Sequence, residues 1–439
     1  MKVLWICHFS NSQIREKIKI ADKIFENFIR KKLGLSQIQV SDFAAWITNG
    51  IEEFEKFSEV ELHVVSPHYN MTKKMVDFQL NGIHYHFFRP DDDSILKKIL
   101  KFFSNNNVSK YKGNRKIVKK IIQEVNPDII HMYGAENPYY SITALDIDTN
   151  KYPLFVTMQT LMNDDDFKKN AVNDEILYNF RAKIESEILK KVKYIGSSVE
   201  KYRNIIWTTI NPNAFFFKTY LAVEQKIQHI NSKKRYDFVY FSDSISKSAD
   251  IAIEAFALVQ KKYPELTINI IGDNSEPFTE NLKIRIKNLG IEKNIFFTGK
   301  LQTHHDVMKQ IQLSKFALLP LKIDIISGTI REAMFSGLPV VSTITEGTPS
   351  LNEKRISVLL SEKEDYQSIA NNMIKLIESP EFACNLVENA FITINERWNN
   401  NNITTQLVKV YRMIINHHCF GQFLSNDLVW TNPHFDYEK

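Results

Sequence analysis

Two acidic residues eight positions apart, Asp324 and Glu332, lie in the stretch of the sequence best suited to chemistry. Between them a turn of small residues, Ser327, Gly328 and Thr329, leads into a predicted helix. A helix N-terminus offers free backbone N–H groups and a favourable dipole, and both suit a phosphate. The spacing places one carboxylate on the loop and the other in the first turn of the helix. This stretch therefore predicts a phosphate site flanked by two carboxylates.

The same residues also fit an ordinary helix cap. Thr329 and Glu332 have the spacing of a capping box, in which a threonine caps the helix and a glutamate three residues later reaches back to its backbone. One glutamate can fill both roles, so capping and ligand binding both stay open for Glu332. A Gly-Leu-Pro turn at 337–339 predicts that the helix is short and that a strand follows it.

The composition limits the class of protein. With 439 residues, 44% hydrophobic and 24% charged, the chain is expected to form two globular domains. Its three cysteines match no metal-ligand spacing, and so sparse a count is typical of a reducing cytoplasm. The N-terminal apolar run lacks the cleavage site of a secretory signal, and no run approaches the ~20 apolar residues of a membrane-spanning helix. We expect a cytoplasmic protein.

Short runs rich in β-branched and aromatic residues recur along both halves of the chain. In the first half they predict strands at 3–9, 61–67, 83–88, 128–134, 153–159 and 194–198. A mixed polar connector follows residue 212, and further strands are predicted at 236–242, 266–272, 295–299, 316–321, 339–343 and 356–360. Most runs are apolar throughout, as buried parallel strands are, and helical patterns separate them. The sequence predicts two doubly wound α/β domains, with ligands in the cleft between them.

The stretch around Glu332 resembles the sugar-nucleotide site of the retaining glycosyltransferases with the GT-B fold (the family-4 type, glycosyl transferases group 1). That family reads Glu, seven residues, Glu, then Ala-Met-Ala-x-Gly-x-Pro-Val-Val. This chain has Asp324, seven residues, Glu332 and then AMFSGLPVV. The stretches NPDIIHMYG, PELTINIIGDN, NIFFTGKL and SKFALLPL also resemble the family and follow its order. The resemblance is strong over 236–360 and thin over 1–215.

The resemblance implies a domain arrangement. Two Rossmann-like domains would face a cleft, with an acceptor-binding domain over 1–215 and a nucleotide-sugar-binding domain over 216–402. The final helix, about 403–425, carries an apolar stripe and resembles the family's closing helix, which packs back on the first domain.

The resemblance also assigns roles in the second domain. Glu332 would bind the ribose hydroxyls of the donor, and Asp324 would contact the transferred sugar. Lys247 matches a lysine that contacts the diphosphate, although it also fits a solvated loop lysine. Ser242 stands where the family has an arginine, and Arg331 is a candidate to supply the missing charge. The other implied donor-binding residues are Ser327, Gly328, Thr329, Gly347 and Thr348.

Fewer residues of the first domain are assigned. Ser10 and Asn11 follow the first strand and are candidates to donate hydrogen bonds to a phosphate or an acceptor. His131 ends a predicted strand and is our candidate catalytic residue there, the alternative being a core histidine. Gln159 and Thr160 stand where many relatives have His-Gly, so no general base is obvious. The retaining mechanism proposed for the family needs little from one, because the leaving phosphate can take the acceptor's proton.

Metal ions and nucleic acid are not expected to be partners. The acidic clusters at 91–93, 146–148 and 164–166 do not match a metal-binding Asp-x-Asp motif in context, and the pairs at 304–305 and 417–418 lack partner ligands. The stretch Lys97 to Lys120 holds nine basic residues and no acidic one. It is either a solvated helix face or a surface for anionic lipid headgroups.

The resulting prediction is a metal-independent glycosyltransferase without a cofactor. It would move a sugar from a nucleotide-diphosphate donor to a hydroxyl of a glycan, free or lipid-linked, with retention, in surface polysaccharide or glycoconjugate synthesis. The alternative is a catalytically degenerate GT-B protein that binds nucleotide or glycan without turnover. The departures at Ser242, Asp324 and Gln159 favour the alternative, whereas Glu332 and Lys247 favour the enzyme.

Overall fold

Strands and helices alternate along most of the chain in the computed structural model. The structure describes residues 1–21, 41–91, 111–171, 175–225, 233–244, 248–273, 276–322 and 328–433. The chain divides into two compact units. One comprises Met1–Val40, Ile47–Ala222 and Asn400–Lys439, and the other comprises Ser41–Trp46 and Val223–Asn399.

The first unit is built on one large sheet. Its strands, within the described residues, are β1 (Lys2–Ile6), β2 (Glu61–Pro67), β3 (Met75–Leu80), β4 (Ile83–Phe88), β5 (Ile129–Tyr133), β6 (Leu154–Thr157), β7 (Tyr194–Gly196), β8 (Phe215–Phe217) and β15 (Val429–Trp430). The order is β15-β8-β7-β6-β5-β1-β2-β4-β3. Neighbours are parallel except for β3–β4 and β15–β8 at the two edges. The central strands β5 and β6 are buried at every residue, which explains their unbroken apolar runs.

The second unit has a smaller, fully parallel sheet. Its described strands are β9 (Tyr236–Ser244), β10 (Ile268–Asp273), β11 (Ile295–Gly299), β12 (Ser314–Leu319), β13 (Val340–Thr343) and β14 (Leu359–Ser361), in the order β11-β10-β9-β12-β13-β14. Because consecutive parallel strands need crossover connections, helices lie between them. The predicted α/β class with two Rossmann-like sheets is confirmed.

Helices connect the strands in both units. In chain order the described α-helices are α1 (Ser12–Ile18), α2 (Ala45–Phe54), α3 (Lys112–Val125), α4 (Pro138–Ser141), α5 (Asp165–Ala171), α6 (Glu175–Lys191), α7 (Glu200–Ile205), α8 (Ala249–Gln260), α9 (Glu276–Leu289), α10 (His304–Ile311), α11 (Gly328–Phe335), α12 (Tyr366–Glu378), α13 (Pro380–Trp398) and α14 (Asn400–Phe420). Among the helices described, none has the length and apolar character needed to cross a membrane.

The last long helix is tied to the first sheet by a buried hydrogen-bond network. The Tyr411 hydroxyl of α14 accepts a hydrogen bond from Trp5 Nε1 at 2.9 Å and lies 2.5 Å from His131 Nδ1. All three side chains are at most 1% exposed. The network therefore links α14 to β1 and β5 at the centre of the sheet.

Three strands lie where the sequence predicted none. β8 falls inside the predicted connector after residue 212, β15 falls inside the predicted C-terminal tail, and β3 was not predicted. β8 and β15 are only three and two residues long, and they pair with each other at one edge of the sheet. Such short strands carry little periodicity, so tertiary pairing rather than local pattern determines them.

Candidate functional site

The loops after three neighbouring strands of the second sheet are tied together. After β12, the backbone N–H of Leu321 donates to Thr343 Oγ1 at the end of β13 at 2.7 Å. The next residue, Lys322, donates its backbone N–H to Ser248 Oγ at 3.2 Å, and Ser248 precedes α8 in the connection from β9. These hydrogen bonds hold together the segments at the carboxyl ends of β9, β12 and β13. This is the edge at which open α/β sheets bind ligands.

Several predicted donor-site residues belong to segments that flank these ties. Asp324 and Ser327 lie just beyond Lys322, and Lys247 immediately precedes Ser248, but all three are outside the described residues. Their predicted contacts with a donor therefore stay predictions. Helix α11 begins at Gly328, one residue before Thr329, so Thr329 lies inside the helix instead of at its cap position. The capping-box interpretation does not fit this start.

Glu332 lies on α11 beside a histidine that the sequence did not single out as its partner. Its Oε1 atom is 3.0 Å from Nε2 of His304, the first residue of α10, and the side chain of Glu332 is only 9% exposed. Burial alone would lower the pKa of His304, but the charge of Glu332 and its hydrogen bond outweigh burial and raise that pKa to about 9. At neutral pH the two residues therefore form an ion pair in which Glu332 is buried and His304 is partly exposed, at 23%.

Two further carboxylates act on His304. Asp42 accepts a hydrogen bond from the backbone N–H of His304 at 3.1 Å, at the start of α10, where Thr303 is the N-cap residue. Glu224 and Asp42 both help to raise the pKa of the His304 ring. With Glu332, they surround one imidazolium with three carboxylates in the second unit.

The remaining predicted residues of the second unit have different exposures and partners. Arg331 is buried, Ser242 is half-buried near the end of β9, and Gly347 is half-buried in the loop after β13. Thr348 is completely buried, and its hydroxyl donates to the Thr343 carbonyl at 2.9 Å. The backbone N–H of Thr345 donates to that same hydroxyl at 2.8 Å. Thr348 therefore shapes the loop rather than presenting its hydroxyl to a ligand.

In the first unit, Ser10 and Asn11 have local structural tasks. Asn11 Oδ1 accepts from the backbone N–H of Ile14 at 2.9 Å and so caps α1. Ser10 is 1% exposed, and its hydroxyl accepts from Arg15 at 3.1 Å and lies 3.0 Å from His68 Nε2. Both side chains hold the loop after β1 in place.

His131 occupies the middle of β5 and not its end. The ring is 0% exposed, and its two nitrogens lie 2.5 Å from the Tyr411 hydroxyl and 2.8 Å from Thr157 Oγ1. Burial holds its pKa well below the ordinary value. A neutral ring with both nitrogens occupied fits the core interpretation, so we do not propose a catalytic role for His131.

A buried carboxyl after β5 was not recognised in the sequence. Glu136 is 4% exposed, and burial raises its pKa to about 7 although Arg181 and backbone hydrogen bonds oppose the rise. Asn137 donates to its Oε1 at 2.9 Å. Gly134, with φ at 79°, leaves room for it, because a Cβ there would lie 2.5 Å from Glu136 Oε2. The sequence did contain a sign that Glu136 could be a site residue. It belongs to the turn Gly-Ala-Glu-Asn, at the carboxyl end of a central strand.

Arg181 and His8 lie near this carboxyl group. Arg181 donates its Nε–H to the Glu136 carbonyl at 2.8 Å, and its other nitrogen donates to Asn137 at 3.2 Å. Burial and the charge of Arg181 lower the pKa of His8, which follows β1, to about 4. The carboxyl ends of β1 and β5 thus carry one permanent cation, a neutral imidazole and a carboxyl group that titrates near neutral pH.

Only the second part of the predicted basic surface can be placed. Residues 97–110 lie outside the described residues, and 112–120 belong to α3. Arg115 makes a bidentate ion pair with Asp146, and Lys120 lies 3.4 Å from Glu124. These two basic residues thus have acidic partners. Membrane binding through this stretch stays a prediction.

Comparison with known proteins finds a family model that matches part of the chain and solved structures that share its fold. Residues 222–392 match the model of the family described as Glycosyl transferases group 1. Over 189 residues, 42% of this chain, the sequence is 28% identical to an uncharacterized glycosyltransferase of Haemophilus influenzae. The match spans 48% of that protein, so this chain spans about half the length of the relative.

Two solved structures share the architecture over most of the chain. Sucrose-phosphate synthase of Thermosynechococcus elongatus is 11% identical with a TM-score of 0.70, covering 94% of this chain and 98% of its own. HepE of Anabaena, solved in complex with UDP and glucose, is 14% identical with a TM-score of 0.62, covering 94% and 99%. At such low identity the likeness shows the fold alone. The chain therefore has the predicted GT-B fold, and within it residues 222–392 match the Glycosyl transferases group 1 family.

Proposed function

We propose that this protein is a glycosyltransferase that moves a sugar from a nucleotide-diphosphate donor to a hydroxyl acceptor with retention at the anomeric carbon. The observation that carries the proposal is Glu332, buried and ion-paired on α11 within the stretch that matches the glycosyltransferase family. An ionised carboxylate held in one orientation is suited to accept hydrogen bonds from a ribose diol. The match of residues 222–392 to the family model supports the reaction class.

The donor would bind at the carboxyl edge of the second sheet. We assign the ribose to Glu332, the transferred sugar to Asp324, and the diphosphate to Lys247 and the amides that begin α11. The hydrogen bonds from Lys322 to Ser248 and from Leu321 to Thr343 lie next to Asp324 and Lys247 in sequence and fix the carboxyl ends of the strands there. No metal is required in this scheme, because lysine and backbone N–H groups would supply the positive charge. UDP is the first nucleotide to test, since it is bound in the HepE structure.

On the acceptor side, the carboxyl group of Glu136 replaces His131 as our candidate. Its pKa near 7 suits a group that takes a proton from an acceptor hydroxyl or holds that hydroxyl in place. Arg181 beside it would keep a sugar or phosphate oxygen within reach of a cation. A growing surface glycan, lipid-linked or free, is the proposed acceptor.

Thermal melting with UDP, GDP, CDP and ADP in the presence of a metal chelator tests the donor half of the proposal. A ligand at 100 times its dissociation constant adds about 2.7 kcal/mol, which raises the melting temperature by several degrees. We expect one nucleotide to give such a shift and Lys247→Ala to reduce it. Lys363→Ala, an exposed lysine of the second unit, is the matched control and should melt and respond like wild type.

The absence of a shift with all four nucleotides would contradict the donor assignment. The loss of nucleotide binding would then be attributed to the departures from the family pattern at Ser242 and Asp324. A catalytically degenerate GT-B protein would become the better description of this chain. A shift that persists unchanged in Lys247→Ala would remove Lys247 from the site while leaving the rest of the proposal in place.

Replacing Glu136 by Gln should change the shape of the pH profile of transfer. In the wild type we expect kcat/KM to rise with pH through about 7 as Glu136 ionises. The neutral amide cannot ionise, so the variant should lose this rise. The rate at high pH should fall by less than the ~10²–10⁴-fold of an essential general base, because the leaving phosphate can take the proton. Glu187→Gln, an exposed site on α6, is the control. An unchanged profile in Glu136→Gln would show that Glu136 is structural.

A further inference from the structure

Five side chains with ligand chemistry share one face of the first sheet, away from the proposed reaction site. Glu61 and His63 alternate on β2, and His84 and His86 alternate on β4, so each pair faces one way. The parallel register places His63 beside His84, and on β3 Asp77 lies opposite His86. Glu61 is the first residue of β2, so the cluster lies toward the amino ends of the strands. Ligands of α/β sheets bind at the opposite edge.

These side chains form a continuous chain of close contacts. His63 Nε2 lies 3.0 Å from Glu61 Oε1, His63 Nδ1 lies 3.1 Å from His86 Nε2, and His86 Nδ1 lies 2.8 Å from Asp77 Oδ1. His84 stacks on His63 with a centroid separation of 4.5 Å. One ligand atom from each of Glu61, His63 and His84 lies within 4.8 Å of the other two.

The contacts outnumber the protons available to them. A neutral imidazole has one N–H, and an ionised carboxylate has none. Two neutral rings therefore supply two protons for the three contacts from Glu61 through His63 and His86 to Asp77. If Asp77 fixes the tautomer of His86, then His63 must donate to His86, and the lone pair of His63 Nε2 faces the carboxylate of Glu61. A proton or a metal ion between this nitrogen and the carboxylate would complete the chain of contacts.

We propose that a divalent transition-metal ion, zinc foremost, binds to Glu61, His63 Nε2 and His84, leaving a position for water. Two imidazoles and one carboxylate are an established zinc ligand set. Tetrahedral zinc with bonds of about 2.0–2.2 Å spaces its donor atoms about 3.3–3.6 Å apart, so modest rotations of Glu61 and His84 suffice. His86 and Asp77 would orient His63 through its second nitrogen, as carboxylate–histidine pairs do around bound metals.

Lys2 is a cation that would compete with the metal ion for the carboxylate of Glu61. Its Nζ lies 3.7 Å from Glu61 Oε1 and partly balances that charge, but it does not supply a hydrogen between Glu61 and His63. The side chains of Lys2 and Glu61 are 36% and 49% exposed, so both can move when a metal enters. The metal would join β2 to β4 and stabilise the first unit.

Calorimetric titration of the chelator-treated full chain with ZnCl₂ at pH 7.5, repeated with CoCl₂ and absorption spectroscopy, tests the proposal. We expect one tight site per chain, a higher melting temperature with zinc, and a cobalt spectrum typical of four-coordinate nitrogen and oxygen ligands. His84→Gln and Glu61→Gln should abolish the tight site. His86→Gln should weaken it by about 10–100-fold, the usual effect of losing an orienting partner.

His418→Gln is the matched control, because His417 and His418 form the adjacent pair on α14 where weak surface binding would occur. This variant should bind zinc like wild type. Wild type without a saturable site, or with a site that survives in both His84→Gln and Glu61→Gln, would overturn the proposal. Such an absence would show that a third proton, not a metal, completes the chain of contacts. Sugar transfer should be unaffected in all of these variants, so the outcome is independent of the proposed function.

Discussion

Glu332→Gln is expected to weaken binding of the nucleoside diphosphate by about 100-fold, because a hydrogen bond to a charged group contributes roughly 1.5–3 kcal/mol and the ribose diol makes up to two. The measurement is isothermal titration with the nucleotide that shifts the melting temperature of the wild type, at a temperature where both proteins are folded. The amide keeps the shape of the side chain but loses the charge, so the loss of affinity reports the ionised carboxylate.

From the sequence alone, this variant is predicted to fold like wild type, because Gln also completes a capping box. The ion pair with His304 changes that expectation. Without the carboxylate, the pKa of His304 returns toward its ordinary value, and the variant loses about 2 kcal/mol of stability at pH 7.5. Stability and affinity must therefore be measured separately.

Glu362→Gln provides the control for a glutamate lost elsewhere in the second unit, since Glu362 is exposed after β14. It should change neither the dissociation constant nor the stability by a measurable amount. If Glu332→Gln binds nucleotide as tightly as this control does, then Glu332 does not contact the ribose and its role is confined to the pair with His304.

The apolar pattern of the sequence predicts the central strands of this protein well, because these strands are buried on both faces. Parallel strands covered on both faces need unbroken apolar runs, and such runs place β2, β4, β5 and β11 within a residue of their observed bounds. The edge strand β15 and its neighbour β8 are too short to show a period, and they pair with each other across more than 200 residues of sequence. No local signal identifies such a pair.

The candidate site is less predictable, because it depends on which distant side chains meet. The motif identifies Glu332, but nothing in the sequence connects it with His304 on another helix or Asp42 in the first fifth of the chain. His131 illustrates the opposite failure. Its position near the end of a strand suggested a site, whereas a tyrosine 280 residues later occupies its ring nitrogen in the core. Glu136 was overlooked because its unusual pKa comes from burial, which the sequence does not display.

The stability of the protein is expected to fall as pH rises from 6.5 to 9, with His304 as one cause. The buried carboxyl groups of Glu136 and Glu185, whose pKa values burial raises, add to the fall. The pKa of His304 is raised in the folded protein to about 9 from an ordinary 6.5, so folding favours the protonated ring. The stabilisation is complete below pH 6.5 and is lost as pH rises through 9. Its upper limit is about 3 kcal/mol, because each pKa unit corresponds to about 1.4 kcal/mol. Urea unfolding at half-unit steps of pH measures it.

His304→Gln should remove the part of this pH dependence that lies between pH 7.5 and 9 and belongs to His304, and the neighbouring exposed His305→Gln should keep it. The single variant leaves the carboxylate of Glu332 buried without its cation, whereas the double variant His304→Gln/Glu332→Gln removes both charges. We therefore expect the double variant to be less destabilised than the sum of the two single variants. Additive effects would mean that the two residues are not coupled in solution.

The same variants show how the ion pair between His304 and Glu332 affects the affinity for the nucleotide. If His304 holds Glu332 ionised and oriented, then His304→Gln weakens nucleotide binding, but less than Glu332→Gln does, because the carboxylate itself remains. The affinity of the wild type should then decrease above pH 9, where the imidazole is neutral, and His304→Gln should lack that decrease. Tighter binding in His304→Gln would instead make the histidine a competitor of the ribose for one carboxylate. The pair thus connects the charge that stabilises the second unit with the charge that we propose recognises the donor.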